Sequence, residues 1–374
     1  MLCVATCAAS SSGGAHRTQN FAEWQQALHA EILAMGAQHT VAAERTAYAS
    51  FWFGRTDTPA FQSLRVMAHT LRRHDKLREI IVITPNANAK QDAGFASLRE
   101  QAMPLSYVTV SALDPRKHSA SSICQRTMDE NARSRLHVND WAKFHMWNLT
   151  RFDRVLYIDA DVMVLHSLDH LWQTTFGVLQ LGAAAHTLPP PAKNMGAHTG
   201  QAFQVPYCRF GTYTGFPLHQ WNAGILLIRP SAAIFGHLLR TLANRAVQYT
   251  CLNGDQTPFN AVLKYYFRCL SHTYNCYHPV VLLAPNASDA KRVGTMAKCY
   301  PPEVKARALV NAASWQPRLL HMVGMKPWMG QFELSSLGGG NRANSTYYGR
   351  MWLAMAAKVR RKTKLKIDDC VRSR

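Results

Sequence analysis

The sequence is short of acidic residues, with 22 Asp and Glu against 42 Lys and Arg and a formal net charge of +20. Charged residues of both signs make up only 17% of the chain, whereas hydrophobic residues make up 47%. This balance is typical of a globular protein and excludes an intrinsically disordered one. The surplus of positive charge favours anionic partners, namely nucleic acids, anionic membranes or phosphorylated small molecules.

Other features are missing as well. No apolar run reaches the roughly 18–20 residues that a membrane-spanning helix needs. The nine cysteines include no C-x-x-C pair and no zinc-like spacing, so they are compatible with a few disulfides and equally with buried thiols. The beginning of the sequence lacks the basic segment that opens a secretory signal peptide. These observations leave the compartment open.

The basic residues are mostly scattered, and only "KVRRKTKLK" at residues 358–366 forms a dense run. It ends a predicted amphipathic helix, and we interpret it mainly as a solvated helix end. Weak peripheral contact of this tail with a membrane stays open, as does a homodimer. We expect no nucleic-acid partner, because the remaining positive charge is not concentrated in one segment.

Apolar strands and amphipathic helices alternate from residue 46 onward, which predicts an α/β fold with a mostly parallel sheet and helices on both faces. We find no internal repeat and no clear linker, so we predict one domain with additions. A flexible N-terminus with an accessory helix occupies residues 1–45, the main domain residues 46–333, and a basic helical tail residues 334–374. Residues 182–220 lack periodicity and are predicted to form a long inserted loop. The strands and helices expected before the first acidic motif are Thr46–Phe53, Pro59–His74, Glu79–Pro85, Ala89–Ala102, Leu105–Leu113 and Asp140–Thr150.

Asp159 and Asp161 follow an apolar strand in "VLYIDADVMV". In parallel sheets ligands bind at the carboxyl ends of strands. Two carboxylates one residue apart can share a hard cation such as Mg²⁺ or Mn²⁺, which also takes phosphate oxygens. A D-x-D triplet alone is more often a turn or solvated surface, so the metal hypothesis depends on other segments.

Three further segments fit such a site, although each also has an ordinary interpretation as a turn, a helix N-cap or a buried histidine. His321, Gly324 and Lys326 fall within one tight turn, where the glycine would let backbone approach a phosphate and the lysine would neutralise one. His321 is then a candidate third metal ligand. The segments are "NAG" at residues 222–224, "NGDQTPFN" at residues 253–260 and "LLHMVGMKPWM" at residues 319–329.

Together these segments resemble glycosyltransferase family eight, the glycogenin-like group with a GT-A fold. The resemblance covers about residues 46–333 and is most specific in "WAKFHMWNLTRFDRVLYIDADVMVLHSLDHL" and in the H-x-x-G-x-K-P-W form. The short turn between glycine and lysine is similar to the plant branch of starch-initiation proteins and xylan glucuronosyltransferases. The resemblance implies a Rossmann-like nucleotide-diphospho-sugar transferase fold with a mostly parallel, mixed sheet.

The resemblance also implies functional roles for individual residues of each motif. Asp159 and Asp161 match the metal-binding pair, and His321 matches the third protein ligand to Mn²⁺. Asp255 and Gln256 match a pair beside the anomeric carbon and are the expected catalytic residues. The other positions that match donor contacts are Lys143, Ala160, Asn222, Ala223, Gly224, Gly324 and Lys326.

The implied activity is retaining transfer of a hexosyl unit from a UDP-sugar to a glycan or protein acceptor, with Mn²⁺ or Mg²⁺ as cofactor. The donor, whether UDP-glucose, UDP-galactose or UDP-glucuronate, stays open. So do two alternatives, a metal-dependent nucleotidyltransferase and a non-catalytic protein that keeps the fold for binding or scaffolding. The plant branch implies the Golgi or secretory lumen, and glycogenin implies the cytoplasm.

Two departures from the family accompany the resemblance. "FWFGRTD" replaces the usual polar, nucleotide-contacting stretch after the first strand. The region that holds the acceptor tyrosine of glycogenin reads "VVLLAPNASDA", without a tyrosine. Self-glycosylation is therefore disfavoured unless Tyr274, Tyr277 or Tyr300 substitutes.

Overall fold

The computed structural model describes the strands and helices that surround the acidic motif. The described residues are 44–58, 60–130, 139–174, 182–186, 221–245, 267–270, 274–277, 318–321 and 354–359, with the single residues Gln26, Ala30, Gln256, Phe259 and Leu263.

A seven-stranded sheet forms the centre of the described part, in the order β3-β2-β1-β4-β7-β6-β8. Strands β3, β2, β1 and β4 are parallel to one another, whereas β7 runs antiparallel to both β4 and β6. Strand β8 is parallel to β6. The strands are β1 (Thr46–Phe51), β2 (Glu79–Thr84), β3 (Leu105–Thr109), β4 (Arg154–Ile158), β6 (Gly182–His186), β7 (Trp221–Ile228) and β8 (Phe267–Leu270).

Helices cover both faces of this sheet. The helix α2 begins at an N-cap, Asp92, whose carboxylate accepts hydrogen bonds from the backbone N–H groups of Gly94 and Phe95. Ser231 caps α6 in the same way. The helices are α1 (Phe61–His74), α2 (Ala93–Gln101), α3 (Pro115–His118), α4 (Ser122–Glu130), α5 (Asp169–Trp172), α6 (Ala232–Leu242) and a 3₁₀ helix (Asp140–Asn148).

Alternate residues of the central strands enter two separate hydrophobic cores. Ala47 and Ala49 pack with the 3₁₀ helix, α4 and α6, whereas Tyr48 packs with α1 and α2. A strand buried on both faces needs apolar residues at successive positions, which explains the near-continuous apolar runs in the sequence. The predicted α/β fold with a mostly parallel sheet and two helical layers is confirmed.

A second, three-stranded sheet continues from the acidic motif. It consists of β5 (Val162–Val164), β10 (Leu319–His321) and β9 (Cys276–Tyr277), in the order β5-β10-β9. Strand β10 runs antiparallel to β5, with His321 opposite Val162, and parallel to β9. This register places His321, which comes late in the sequence, next to the strand that follows Asp161.

One prediction is wrong in part, because the first five residues of the expected loop at 182–220 form β6. The segment reads "GAAAH", and its small residues give no hydrophobic alternation, whereas its backbone pairs with β7 and β8. The rest of that loop, residues 187–220, lies outside the described residues. The helix expected at 140–150 is a 3₁₀ helix that ends at Asn148.

The two ends of the chain are described only in short pieces. Gln26 and Ala30 are helical, and so are residues 354–359. The amide of Gln62, in α1, donates to the carbonyl of Ala356 at 3.3 Å, so this helical segment of the basic tail packs on α1. The predicted domain boundaries stay predictions. Within the described residues, none of the helices combines the length and the apolarity that a membrane span requires.

Candidate functional site

The acidic motif lies where β4 ends. All five residues of β4 are buried, and the backbone N–H of Asp159 donates to the carbonyl of Gly224 in β7 at 2.8 Å. The N–H of Val162 then donates to the carbonyl of Asp159 at 3.1 Å, which closes a tight turn into β5. Asp159 and Asp161 are therefore fixed between two sheets, at the carboxyl end of a buried strand.

His321 joins these two carboxylates through the pairing of β10 with β5. Its Nε2 lies 3.1 Å from Asp161 Oδ1 and 3.7 Å from Asp159 Oδ2. One ligand atom from each of the three residues can be chosen so that all lie within 4.8 Å of one another. Neighbouring ligands of an octahedral cation with bonds of about 2.1 Å lie about 3 Å apart, so this spacing suits Mg²⁺ or Mn²⁺.

The other ring nitrogen of His321 has a partner that the sequence did not reveal. Nδ1 lies 2.8 Å from Oδ1 of Asn275, and both residues are buried. If Nδ1 donates its proton to this oxygen, Nε2 directs its lone pair toward the two carboxylates. A lone pair facing carboxylate oxygens requires a cation or a proton between them. The donor set therefore fits a divalent cation.

Lys143 supplies a positive charge from the 3₁₀ helix. Its Nζ lies 3.0 Å from Asp159 Oδ1, and the hydroxyl of Tyr157 donates to the same oxygen at 2.7 Å. Tyr157 and Asp159 point to the same face of β4, against which the 3₁₀ helix packs. Asp159 thus uses one oxygen for Lys143 and Tyr157 and directs the other toward His321.

Gly224 lies directly behind the cluster. A Cβ atom at this position would lie 2.5 Å from Cε1 of His321 and 2.9 Å from Oδ2 of Asp159. Real Cβ contacts essentially never fall below 3.0 Å. The glycine of the "NAG" motif is therefore required by close packing against the candidate metal ligands.

Asn222 connects this motif to the "DQ" segment. Its Oδ1 accepts from the N–H of Gly224 at 2.9 Å, and its Nδ2 donates to Oε1 of Gln256 at 3.0 Å. Ala223 is buried in β7, and Ala160 packs at the edge of the core in the turn of the acidic motif. The structure thus brings together Lys143, Ala160, Asn222, Ala223, Gly224 and Gln256 around the three candidate ligands.

Three predicted residues, Asp255, Gly324 and Lys326, lie outside the described residues, so their roles stay predictions. Among the candidate acceptor tyrosines, Tyr274 is 1% exposed and hydrogen-bonds to His170. Burial raises the pKa of the Tyr274 hydroxyl to about 12. The Tyr274 hydroxyl is therefore not exposed to act as a sugar acceptor. The side chains of Tyr277 and Tyr300 lie outside the described part.

Sequence reasoning missed two residues of the site. Tyr157 carried a signal, since the period of two along β4 places it on the face of Asp159. Asn275 carried none, because a single asparagine in "YNCY" matches no motif and its contact depends on the pairing of β9 with β10.

A family model and curated relatives match this chain. A family model described as "Glycosyl transferase family 8" matches residues 55–331. UDP-glucuronate:xylan alpha-glucuronosyltransferase 1 of Arabidopsis thaliana is 26% identical over 193 residues, which are 51% of this chain and 21% of the relative. Galactinol synthase 1 of Solanum lycopersicum is 20% identical over 186 residues, which are 47% of this chain and 51% of the relative.

Solved structures give matches of the same kind. The crystal structure of the galactosyltransferase LgtC in complex with donor and acceptor sugar analogues is 17% identical, with a TM-score of 0.46, and the match covers 83% of this chain and 95% of that one. The chain spans only 21% and 51% of the length of the two curated relatives.

Proposed function

The chain belongs to glycosyltransferase family 8 and has the GT-A fold of that family, and from this premise we propose that it is a retaining, Mn²⁺-dependent hexosyltransferase. It takes its sugar from a UDP-sugar and transfers it to a glycan or protein acceptor. The observation that carries the proposal is the convergence of Asp159, Asp161 and His321 at the end of β4.

In this proposal Asp159, Asp161 and His321 would hold the divalent cation. The cation would supply Lewis-acid stabilisation of the diphosphate leaving group. Asp159, Asp161 and Lys143 together carry one net negative charge, which attracts a cation without repelling a donor diphosphate strongly. Lys326 and the backbone at Gly324 are proposed to take up charge on the outer phosphate.

We assign to Asp255 the carboxylate that acts on the donor sugar. Its neighbour Gln256 accepts a hydrogen bond from Asn222, which in turn accepts from the N–H of Gly224, the glycine that packs against the candidate metal ligands. This link supports placing the "DQ" pair beside the anomeric carbon, where Asp255 would stabilise positive charge that develops on the sugar.

The donor is proposed only as a UDP-hexose or UDP-glucuronate. The relatives' names point to two sugar classes, since one is a xylan glucuronosyltransferase that uses UDP-glucuronate and the other a galactinol synthase. UDP-glucose, UDP-galactose and UDP-glucuronate therefore form the test set.

For the compartment we propose the Golgi or secretory lumen. Cys124 is disulfide-bonded and fully buried in α4. Disulfides persist in oxidising compartments and are rare in the cytosol. This bond favours the lumenal alternative over the cytoplasmic one.

A donor screen tests the function. Release of UDP from each of the three donors is measured with Mn²⁺, with Mg²⁺ and with a chelator. We expect Mn²⁺-dependent release from at least one donor and a loss of roughly 100-fold or more in Asp161→Asn. Asp153→Asn is the matched control, since this aspartate precedes β4 at its opposite end and pairs with Arg45.

The outcomes separate the alternatives. A scaffold protein would release no UDP from any donor. A nucleotidyltransferase would release pyrophosphate from nucleoside triphosphates in the same metal buffers. Either result, with the folded wild type, would refute the hexosyltransferase proposal.

A further inference from the structure

We propose that Asn275 is a positioning residue that keeps the His321 imidazole in the tautomer with its proton on Nδ1. In this tautomer Nε2 carries the lone pair that a divalent cation needs. The inference rests on the proposed function, because it concerns the same cation, and it adds a residue that no motif of the sequence indicated.

The contact is short and shielded from water. Nδ1 of His321 and Oδ1 of Asn275 are 2.8 Å apart, and the two residues are 3% and 2% exposed. Water cannot compete for the Nδ1 proton at such a site, so the amide oxygen decides where the proton lies. Metal-binding histidines commonly donate their second ring N–H to an oxygen in this way.

The backbone holds Asn275 in place. It directly precedes β9, which pairs in parallel with β10, the strand that ends with His321. On its other side Tyr274 is buried and hydrogen-bonded to His170 in α5. Asn275 is therefore fixed between a strand pairing and a buried side chain, and rotation of its amide is the remaining freedom.

That rotation would exchange the protonated and unprotonated nitrogens of the His321 ring. If Nδ2 instead of Oδ1 faced Nδ1, the histidine proton would move to Nε2 and be donated to Asp161, which lies 3.1 Å away. The imidazole would then be a hydrogen-bond donor to the acidic pair and closed to a metal. Among the described residues Nδ2 has no hydrogen-bond partner, so no described contact other than His321 selects the amide orientation.

Two variants distinguish these orientations. Asn275→Asp keeps an oxygen that can accept from Nδ1, whereas Asn275→Leu has a similar volume and no acceptor. Mn²⁺ alone is titrated into each metal-free protein, and free Mn²⁺ is followed by its electron paramagnetic resonance signal. We expect the aspartate variant to stay close to the wild-type affinity and the leucine variant to bind about 10–100-fold more weakly.

A spectroscopic measurement complements the titration. In protein labelled with ¹⁵N-histidine, the His321 signals are identified by their absence in His321→Gln, and their shifts report the tautomer. Thr241→Val is the stability control, since it removes another buried side-chain hydrogen bond, to the His237 carbonyl in α6. Its Mn²⁺ affinity should equal that of the wild type.

Each result decides a different question. Absence of Mn²⁺ binding in the wild type would refute the metal dependence of the proposed function. If the wild type binds Mn²⁺ and Asn275→Leu binds it equally well, the role of Asn275 is overturned and the proposed function stays intact. The same holds if Asn275→Asp is the variant that loses binding. If the leucine variant does not fold, the wild-type spectrum decides, since an Nδ1 without a proton in the metal-free protein overturns the inference.

Discussion

At the scale of single residues, the candidate metal site depends on a position without a side chain. Gly224 connects β7 to the acidic motif through its carbonyl and to Asn222 through its N–H. A side chain of any size at this position would come too close to His321 and Asp159. Gly224 therefore has two roles: its backbone pairs with the acidic motif, and its lack of a side chain leaves room for the candidate ligands.

Gly224→Ala is expected to impair metal binding more than folding. Its Cβ would lie 2.5 Å from Cε1 of His321, so the imidazole must move away from the carboxylates. We expect a loss of about 10-fold or more in Mn²⁺ affinity and about 1–3 kcal/mol in the free energy of unfolding. Calorimetric titration and urea unfolding measure the two quantities.

Gly236→Ala is the matched control for this substitution. Within the described part of the chain, a Cβ there would meet only Nη1 of Arg240, at 3.3 Å, and the residue lies inside α6. Replacing a helical glycine by alanine stabilises a helix by about 1 kcal/mol. Unchanged Mn²⁺ affinity in Gly224→Ala would contradict the packing argument.

Some of these residue positions could be predicted from the sequence and others could not. Asp159 and Asp161 were predictable because an apolar strand directly precedes them, and Gly224 because its "NAG" motif stands near the start of another. The contact of Asn275 with His321 depends on a pairing between strands far apart in the chain. Local patterns carry no information about such a register.

At the scale of secondary structure, the sheet separates two polar clusters. The candidate metal site lies where β4 ends, and a second cluster lies near the beginnings of β1 and β2. There Asp75, next to α1, accepts hydrogen bonds from the Tyr48 hydroxyl at 3.0 Å and from the N–H groups of Leu77 and Arg78. This carboxylate joins β1 to the turn that leads into β2.

Asp75→Ala is expected to destabilise the fold without changing metal affinity. It would leave the buried Tyr48 hydroxyl and the Arg78 guanidinium without this carboxylate. Losing a buried, charge-assisted network costs about 2–4 kcal/mol. Urea unfolding and Mn²⁺ titration of the same sample would test both parts, and Asp57→Ala, at an exposed pair with Arg55, should change neither.

The contribution of Asp75 should depend on pH. Burial by itself raises the pKa of this carboxyl, but hydrogen bonds from the Arg78 side chain and from the backbone outweigh burial and lower the pKa below its ordinary 3.8. A lowered pKa stabilises the folded state above the unfolded pKa and ceases to do so as pH falls through the folded one. The stability difference between wild type and Asp75→Asn should therefore shrink below about pH 4, and a constant difference would contradict this assignment.

The order of secondary-structure elements was largely predictable, and the pairing of strands was not. The alternation of strands and helices from residue 46 gave the parallel half of the sheet. The antiparallel pairing of β7 and the strand β6 were not predicted. The small second sheet was not predicted either, because β5, β9 and β10 contain only two or three residues each. Strands this short are too brief to show a hydrophobic period.

At the scale of the whole molecule, the core beneath the metal site contains the disulfide-bonded sulfur. Cys124 packs in the same core as Tyr157 and the aromatic residues of the 3₁₀ helix that carries Lys143. The covalent bond at Cys124 restricts the unfolded chain and so stabilises the helical layer that supports the candidate site. The sequence left disulfides and buried thiols equally open, because the cysteine spacing matches no known framework.

The disulfide of Cys124 predicts a measurable dependence on redox state. The free energy of unfolding of the oxidised wild type should exceed that of the reduced protein by about 2–4 kcal/mol, because a closed loop loses less entropy on folding. In Cys124→Ala the same reductant should have a smaller effect, since this bond is already absent. The chain produced in a reducing cytosol should accordingly be less stable than the oxidised chain and should gain stability on oxidation. Peptide mapping without reductant provides the direct check, because a peptide with Cys124 that is fully alkylated as a free thiol would contradict both the bond and the lumenal assignment that rests on it.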